Sequence, residues 1–313
     1  MNKKTILSIA IPTYNRAEYL KINLKQLFDN INLLENPEQI EIIVSDNAST
    51  DNTEEIINKF KNQLIPIIHL KNNVNLGFDG NFESCFSKAT GKYVWIFGDD
   101  ELLFNNALPK IIDILKNNDV GCLYLEGVGY NTSFNLRDYN TIPNETIELI
   151  SSDAYIKKVN YYITFCTGNI FNKSIFPINY DAKKYIGTNL NQVYLYLTAL
   201  KECNNNIVLK EKYFFIKESN TGGYNLFQTF STNFNKILKE NLDTKNRRII
   251  NNNLINSFFP IFINKTENFN PEKKYFELFK NYYSYPLFWK KIIFKEFFII
   301  LKMKLRLKDA KIR

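Results

Sequence analysis

Two hydrophobic periods alternate along the first third of this chain. Residues 5–11 form an apolar run bounded by polar residues, and the spacing of Leu20, Leu24, Leu27 and Phe28 across 17–31 is helical. The same reading predicts strands over 40–45, 64–70, 92–97 and 120–130. It predicts helices over 51–61, with Thr50 or Ser49 as cap, and over 79–88 and 107–116. Strands and helices alternating at this interval predict an α/β protein with a mostly parallel sheet covered by helices on both faces. From about 131 to 160 the pattern is irregular, with a short strand near 146–149 and a helix starting at Ser151 or Ser152. Residues 164–172 read as extended and those around 190–201 as a helix. After about 225 the chain reads as helices to the end. Neither a proline- or glycine-rich linker nor an internal repeat marks a clean boundary.

The fourth predicted strand ends abruptly, running Tyr93-Val94-Trp95-Ile96-Phe97-Gly98 into Asp99-Asp100-Glu101. Three adjacent acids repel one another unless a positive charge sits among them. Ligands of α/β sheets bind outside the carboxyl ends of the strands, and there a divalent cation is the natural partner. Carboxylate oxygens suit Mg²⁺ or Mn²⁺, which take substrate phosphates as further ligands. The competing reading is an acidic turn opening a helix, where acids are also favoured.

Charge changes the picture mainly through its location. The chain has 313 residues and a net charge of +8. Between Pro271 and Arg313 stand twelve Lys or Arg against four Asp or Glu, so the whole excess lies in that tail. A basic tail on a neutral body points to a localised anionic partner such as a membrane surface, not to a broad nucleic-acid footprint. Cys85, Cys122, Cys166 and Cys203 lack metal-site spacing and read as reduced thiols of a cytosolic protein. His69 is the only histidine, which excludes a multi-histidine metal site; it reads as a packed or surface residue. Lys3 and Lys4 precede an apolar run too short for a signal peptide. No window has the roughly 18 apolar residues of a spanning helix.

Four polar clusters follow the first four predicted strands: Pro12-Thr13-Tyr14-Asn15-Arg16, then Ser45-Asp46-Asn47-Ala48-Ser49-Thr50-Asp51, then the segment from Asn73 to Asn81 with its Asn75-x-Gly77 loop, and finally Gly98-Asp99-Asp100. Each alone is an ordinary turn. In this order, over roughly 5–220, the chain resembles the family 2 glycosyltransferases of GT-A fold. Within them it is similar to sugar transferases of bacterial surface-polysaccharide assembly, including the abequosyltransferase-like ones.

The resemblance implies a GT-A domain over 1–225, with a donor half to about 130 and an acceptor half over about 131–225, and a helical basic and aromatic region over 226–313. It implies a nucleotide-diphosphate-sugar donor of UDP or dTDP type, bound by Pro12, Thr13, Tyr14, Asn15, Asp46, Asn75 and Asp99. Thr13 and Tyr14 would line the base pocket, and Asp46 would accept a hydrogen bond from the base; a helix cap is the competing reading of Asp46. Asn47 and Ser49 read as turn and cap residues. Asp100, with Asp99, would hold a divalent metal, Mn²⁺ or Mg²⁺, against the leaving diphosphate. The family often has Asp where this chain has Gly98. Glu101 is read as the start of the next helix.

Inversion at the anomeric carbon needs a carboxylate to take the acceptor proton. In the family it stands about 90 residues after the metal motif, where this chain has Gly187-Thr188-Asn189-Leu190-Asn191-Gln192 and no acid. Asp181 is the chosen candidate, with Asn191 and Gln192 as acceptor-positioning residues; Glu202, Glu126 and Asp153 stay open. Phe165-Cys166-Thr167-Gly168-Asn169 resembles the family's acceptor-side loop and reads equally as a strand and turn.

The tail over 282–313 interleaves Phe288, Trp289, Phe294, Phe297 and Phe298 with lysines. It suits an amphipathic helix in an anionic membrane interface or one that packs on the catalytic domain. The expected protein is therefore an inverting glycosyltransferase, peripheral at the inner face of the cytoplasmic membrane, acting on a lipid-linked, lipooligosaccharide or polysaccharide acceptor. A non-catalytic module of the same fold, binding nucleotide or a partner enzyme, is the alternative. A sugar nucleotidyltransferase would need a glycine-rich basic loop after strand one, and the Pro12 cluster is not one.

Overall fold

The computed structural model describes residues 5–130, 146–217, 225–261 and 279–293. The chain divides into two compact units, one up to Tyr224 and the other from Asn225. In the first, β1 (Leu7–Thr13), β2 (Ile40–Asp46), β3 (Ile67–Lys71) and β4 (Tyr93–Ile96) form the expected parallel array in the order β3-β2-β1-β4. Between them run α1 (Ala17–Ile31), α2 (Thr53–Lys59) and α3 (Gly77–Lys88).

Both faces of this array are covered, so its strands are mostly apolar, with Ser8, Glu41 and His69 as the exceptions ahead of their polar carboxyl ends. Leu7, Ile9 and Ile11 of β1 face a core shared with Ile42, Val44, Tyr93 and Trp95, and with Leu20, Leu24, Leu27 and Phe28 of α1. The alternate positions of β1, by the strand period of two, lie on the α3 side, where Phe82, Cys85 and Phe86 are buried. Burying one such large apolar side chain contributes about 1.5–3 kcal/mol.

Beyond β4 the sheet is mixed. After β5 (Leu102–Leu103) and α4 (Ala107–Asn117) comes β6 (Cys122–Tyr130); later follow β7 (Leu149–Ile150), α5 (Ser152–Val159), β8 (Asn169–Asn172), α6 (Asn191–Glu202) and β9 (Asn206–Lys217). The order continues β4-β8-β6-β9-β5, with β8 antiparallel to both β4 and β6, and β9 parallel to β6. Inserting β8 beside β4 brings the 165–169 loop to the end of β4, where Trp95 Nε1 donates to Thr167 O at 2.8 Å. Two strands, β5 and β9, lie outside the expected elements. β5 has two residues, too few for a period, whereas β9 follows α6 across Asn204-Asn205, a turn signal that the sequence reading did not use. The expected cap of α2 is also corrected: the cap position is Asn52, not Thr50 or Ser49, and Asp51 before it accepts from Thr53 N at 3.1 Å and, through its other oxygen, from Ala17 N of α1 at 3.0 Å.

Asp79, in the first turn of α3, ties the donor-side helices to α6. Left-handed backbone at Gly187 (φ 90) and Asn189 (φ 59) turns successive amides toward its carboxylate. That carboxylate accepts from Gly187 N (2.8 Å), Asn189 N (2.8 Å) and Asn191 N (3.1 Å). Burial pushes the Asp79 carboxyl up, and the backbone hydrogen bonds pull it the other way.

In the second unit, a π-helical turn (Gln228–Asn233) leads into α7 (Phe234–Asn241), and α8 (Thr244–Asn253) runs into a second such turn (Leu254–Phe258). Phe279, Tyr282 and Phe288 pack against one another and, through Phe279 and Tyr282, against Phe259, with ring centroids 5.1–6.3 Å apart. The start of the aromatic tail is thus used inside this unit; its remainder, 294–313, lies outside the described residues. Among the described residues no helix is long and apolar enough to cross a membrane.

Asp79→Ala leaves three amides without their acceptor, the Asn191 amide buried and the other two part-buried. Unfolding free energy should fall by about 3 kcal/mol in urea titration, with hydrogen exchange at Gly187, Asn189 and Asn191 accelerating more than at β1.

Candidate functional site

Strand register brings the polar clusters together. Thr13 and Asp46 are directly paired at the ends of β1 and β2, and β4 stays on β1 through Phe97 N donating to Ala10 O at 2.9 Å. The chain after β4 therefore emerges beside Thr13. There Thr13 Oγ1 donates to Asp99 Oδ2 at 2.7 Å. Arg16 Nη1 reaches Asp99 Oδ1 at 3.1 Å and Asp100 Oδ2 at 2.8 Å. The positive charge among the acids is thus Arg16, from the first cluster. Sequence reasoning quoted Arg16 without giving it this part; its signal is the lone cation in that cluster.

The acidic loop is buried and held from several sides. Asn23 Nδ2 of α1 donates to Gly98 O (2.9 Å) and Glu101 O (2.7 Å), and Tyr130 Oη donates to Asp100 O at 3.2 Å. Burial pushes the Asp99 carboxyl up to about 6 against the opposing pull of Arg16, with Asp100 adding to the rise. Glu101 is not the start of a helix: it is buried, and the two-residue strand β5 follows it. Its carboxyl lies against Gly98 and Thr167, and a Cβ added at Gly98 would sit 3.0 Å from Glu101 Oε2 and 3.3 Å from Thr167 Oγ1. Glycine at 98 makes room for that carboxyl. Burial pushes Glu101 up to about 8, with Thr167 pulling the other way, and Oε2 has no hydrogen-bond partner within the protein.

The second and third clusters are laced to the first. Asn15 (φ 52) takes the left-handed turn and accepts from Thr50 N at 2.8 Å, while its own N–H donates to Ser49 Oγ at 2.9 Å. Asp46 is buried; Oδ1 accepts from Ser49 N at 2.9 Å, and Oδ2 has no partner within the protein. Burial lowers the His69 imidazole, so it stays neutral near pH 7. Asn47 is fully used as a bracket: Nδ2 donates to Asn75 Oδ1 at 2.8 Å, and Oδ1 accepts from Leu76 N at 2.9 Å. Asn81 donates to Ser45 O at 3.1 Å. Pro12 is half-buried in β1, whereas Tyr14 and Asn75 are exposed at the rim.

The acceptor-side candidates are spread out. Asp181 faces solvent and accepts from Lys183 N at 2.9 Å; it shares no hydrogen bond with the strand-end cluster among the described residues. Asn191 is buried, donating to Ala182 O and accepting from Tyr185 N. Gln192 is buried and donates to Thr164 O at 2.9 Å, leaving Oε1 without a partner. Glu126 is paired with Lys212, Asp153 stands in the first turn of α5, and Glu202 ends α6.

Asp99 and Asp100 offer hard oxygens at the end of a parallel strand, which fits a divalent metal. Among the described residues no group of three or more His, Cys, Asp or Glu is placed to hold a metal ion.

Carboxylates, a hydroxyl and a guanidinium gathered at the carboxyl edge of parallel strands define an α/β protein of the class that binds its ligand there. The model of glycosyl transferase family 2 matches residues 8–176, more than half of the chain, and the chain belongs to that family. It is 49% identical over 105 residues to the abequosyltransferase RfbV of Salmonella typhimurium, covering 33% of this chain and 30% of the relative. It is 29% identical over 107 residues to a GalNAc(5)-diNAcBac-PP-undecaprenol beta-1,3-glucosyltransferase of Campylobacter jejuni, covering 34% of this chain and 33% of the relative. The chain thus spans about a third of the length of these curated relatives. The fold is that of Staphylococcus aureus TarS 1–349 in complex with UDP-GlcNAc, at TM-score 0.62 and 18% identity, covering 84% of this chain and 76% of that one. The mannosyltransferase PcManGT of Pyrobaculum calidifontis, in complex with GDP-Man and Mn²⁺, matches at TM-score 0.54 and 15% identity over 80% of this chain and 69% of its own.

Two stability measurements on metal-free protein follow. Arg16→Gln removes the cation between Asp99 and Asp100 and should lower unfolding free energy by about 1–3 kcal/mol at pH 7.5, discounted for its partial exposure. The loss should shrink at pH 5, where Asp99 is protonated. For Glu101, the folded pKa lies above the unfolded one, so its stabilising preference holds at low pH and is lost as pH rises toward 8. Glu101→Gln should therefore raise Tm at pH 8.5 and leave it nearly unchanged at pH 4.5.

Proposed function

We propose that this chain is an inverting glycosyltransferase that moves a sugar from a nucleotide-diphosphate donor, of UDP or dTDP type, to a lipid-linked or polysaccharide acceptor. The observation that carries the reading is the convergence of Thr13, Arg16, Asp99 and Asp100 at the strand ends beside Asp46. Asp46 Oδ2 is a buried acceptor without a protein donor, and buried polar atoms are almost always paired. A uracil or thymine N3–H suits it. Pro12, Tyr14, Asn15 and Asn75 border the same pocket in this reading.

Asp100, with Asp99, would hold Mn²⁺ or Mg²⁺, which supplies neutralisation of charge on the departing diphosphate. Arg16 turns from the two carboxylates toward the diphosphate when the donor is bound. On the acceptor side, the reading assigns Gln192 and Asn191 to positioning and Asp181 to proton removal. Residues 1–225 form the catalytic domain, and 226–313 a helical basic region acting at the inner face of the cytoplasmic membrane. A relative named for glucosyl transfer to an undecaprenol-linked glycan supports that acceptor class.

A non-catalytic nucleotide-binding module is the second reading. It is favoured by the start of α6, where the carboxylate at hand, Asp79, is engaged by three backbone amides.

Nucleotide release from a panel of UDP-, dTDP- and GDP-sugars with Mn²⁺ and undecaprenol-linked acceptors separates the two. Turnover should select one nucleotide and fall by about 100-fold or more in Asp100→Ala. Undiminished turnover in that variant overturns the metal assignment. A nucleotide-induced rise in Tm without turnover on any acceptor favours the module.

A further inference from the structure

The second unit carries a cavity of about 670 Å³, lined by basic and amide side chains, that the proposed donor site does not use. Among the described residues Lys236, Lys239, Arg247 and Lys280 line it, with Glu240 as the one acid. The three lysines are exposed and Arg247 half-exposed. None of the four cations is in an ion pair with a carboxylate among the described residues. Four like charges on one concave wall raise its potential and favour an anion inside it. Its volume lies within the range of small-molecule sites.

The floor of the cavity is built by a buried amide and phenol network. Asn251, 1% exposed, lines the cavity and donates through Nδ2 to Asn235 Oδ1 at 2.9 Å and Tyr285 Oη at 2.9 Å. Asn235 in turn donates to Tyr282 Oη, whose hydroxyl donates to Phe230 O at 3.1 Å. These bonds orient the Asn251 amide and leave its Oδ1 buried with no partner within the protein. Such an acceptor calls for a hydroxyl or N–H donor. A site that combines cations for an anion with one buried acceptor suits a phosphate ester carrying a hydroxyl near its phosphoryl group. Arg247 can bind phosphoryl oxygens in bidentate fashion and the lysines as point charges.

From this geometry we infer that the second unit holds a phosphate-ester site formed by Lys236, Lys239, Arg247, Lys280 and Asn251. The same chemistry is offered by the headgroup of an anionic lipid and by a free phosphate ester. The site lies wholly within residues 232–285 and does not depend on the donor-site reading.

The test uses the full chain, with glycerol 3-phosphate in calorimetric titration and vesicles of phosphatidylcholine alone or with about one-third phosphatidylglycerol. Two cavity variants, Lys239→Gln/Arg247→Gln and Lys236→Gln/Lys280→Gln, are compared with Arg248→Gln/Lys290→Gln, which removes equal charge outside the cavity. Circular dichroism and Tm confirm that each is folded. Glycerol 3-phosphate should bind the parent, with Kd rising about tenfold in each cavity variant and less than about twofold in the control. If the cavity variants also lose partition onto the phosphatidylglycerol vesicles, the site takes a lipid headgroup; if partition is unchanged, it takes a free phosphate ester. Absence of saturable glycerol 3-phosphate binding together with no cavity-specific vesicle effect overturns the inference. So does an equal loss in the control.

Discussion

Three carboxylates stand side by side at the end of β4, out of water, and the rest of the donor-side structure is arranged around making that tolerable. Arg16 lies within 3.1 Å of both Asp99 and Asp100, and the Thr13 hydroxyl donates to Asp99. Buried like charges are stable only when paired and hydrogen-bonded. The first strand must therefore deliver Thr13 and Arg16 to the point where the fourth strand delivers its acids. Parallel pairing of β1 with β4 does this, and Asn23 and Tyr130 fix the loop between. An arginine in this position is a cation the protein supplies for itself.

The other clusters are positioned by lacing rather than by direct contact with charge. Asn15 binds the 49–50 loop, Asp51 joins α1 to α2, and Asn47 brackets the 72–77 loop. Each is a short polar side chain taking up backbone groups that a turn leaves unpaired. Asp79 extends the scheme across the sheet by closing the start of α6, so that donor-side and acceptor-side helices share one carboxylate. Asp46, Gln192, Asn23 and Glu101 each keep a buried oxygen without a partner within the protein.

The second unit follows a different logic. Aromatic rings from Phe230, Phe259, Phe279, Tyr282 and Phe288 make its core, and asparagines join the phenols into one network. Its basic side chains project around a cavity whose floor that network builds. Part of the aromatic tail that reads as a membrane helix is here core material of its own unit.

The sequence by itself determined the α/β class, the alternation of the first four strands and three helices, and the four strand-end clusters. These depend on hydrophobic period and on local turn chemistry, which neighbouring residues encode. The family followed from the same clusters. Only the tertiary structure decided which charges meet: that Arg16 sits between Asp99 and Asp100, 83 and 84 residues away, that Glu101 is buried over Gly98, and that Asp79 closes α6. It also decided that β8 runs antiparallel between β4 and β6 and that β5 and β9 are strands at all. Those facts arise from pairing between distant segments, and no local period carries them. The candidate base Asp181 illustrates the divide. Its distance along the chain made it eligible, whereas its exposure in a turn is a property of the folded surface alone.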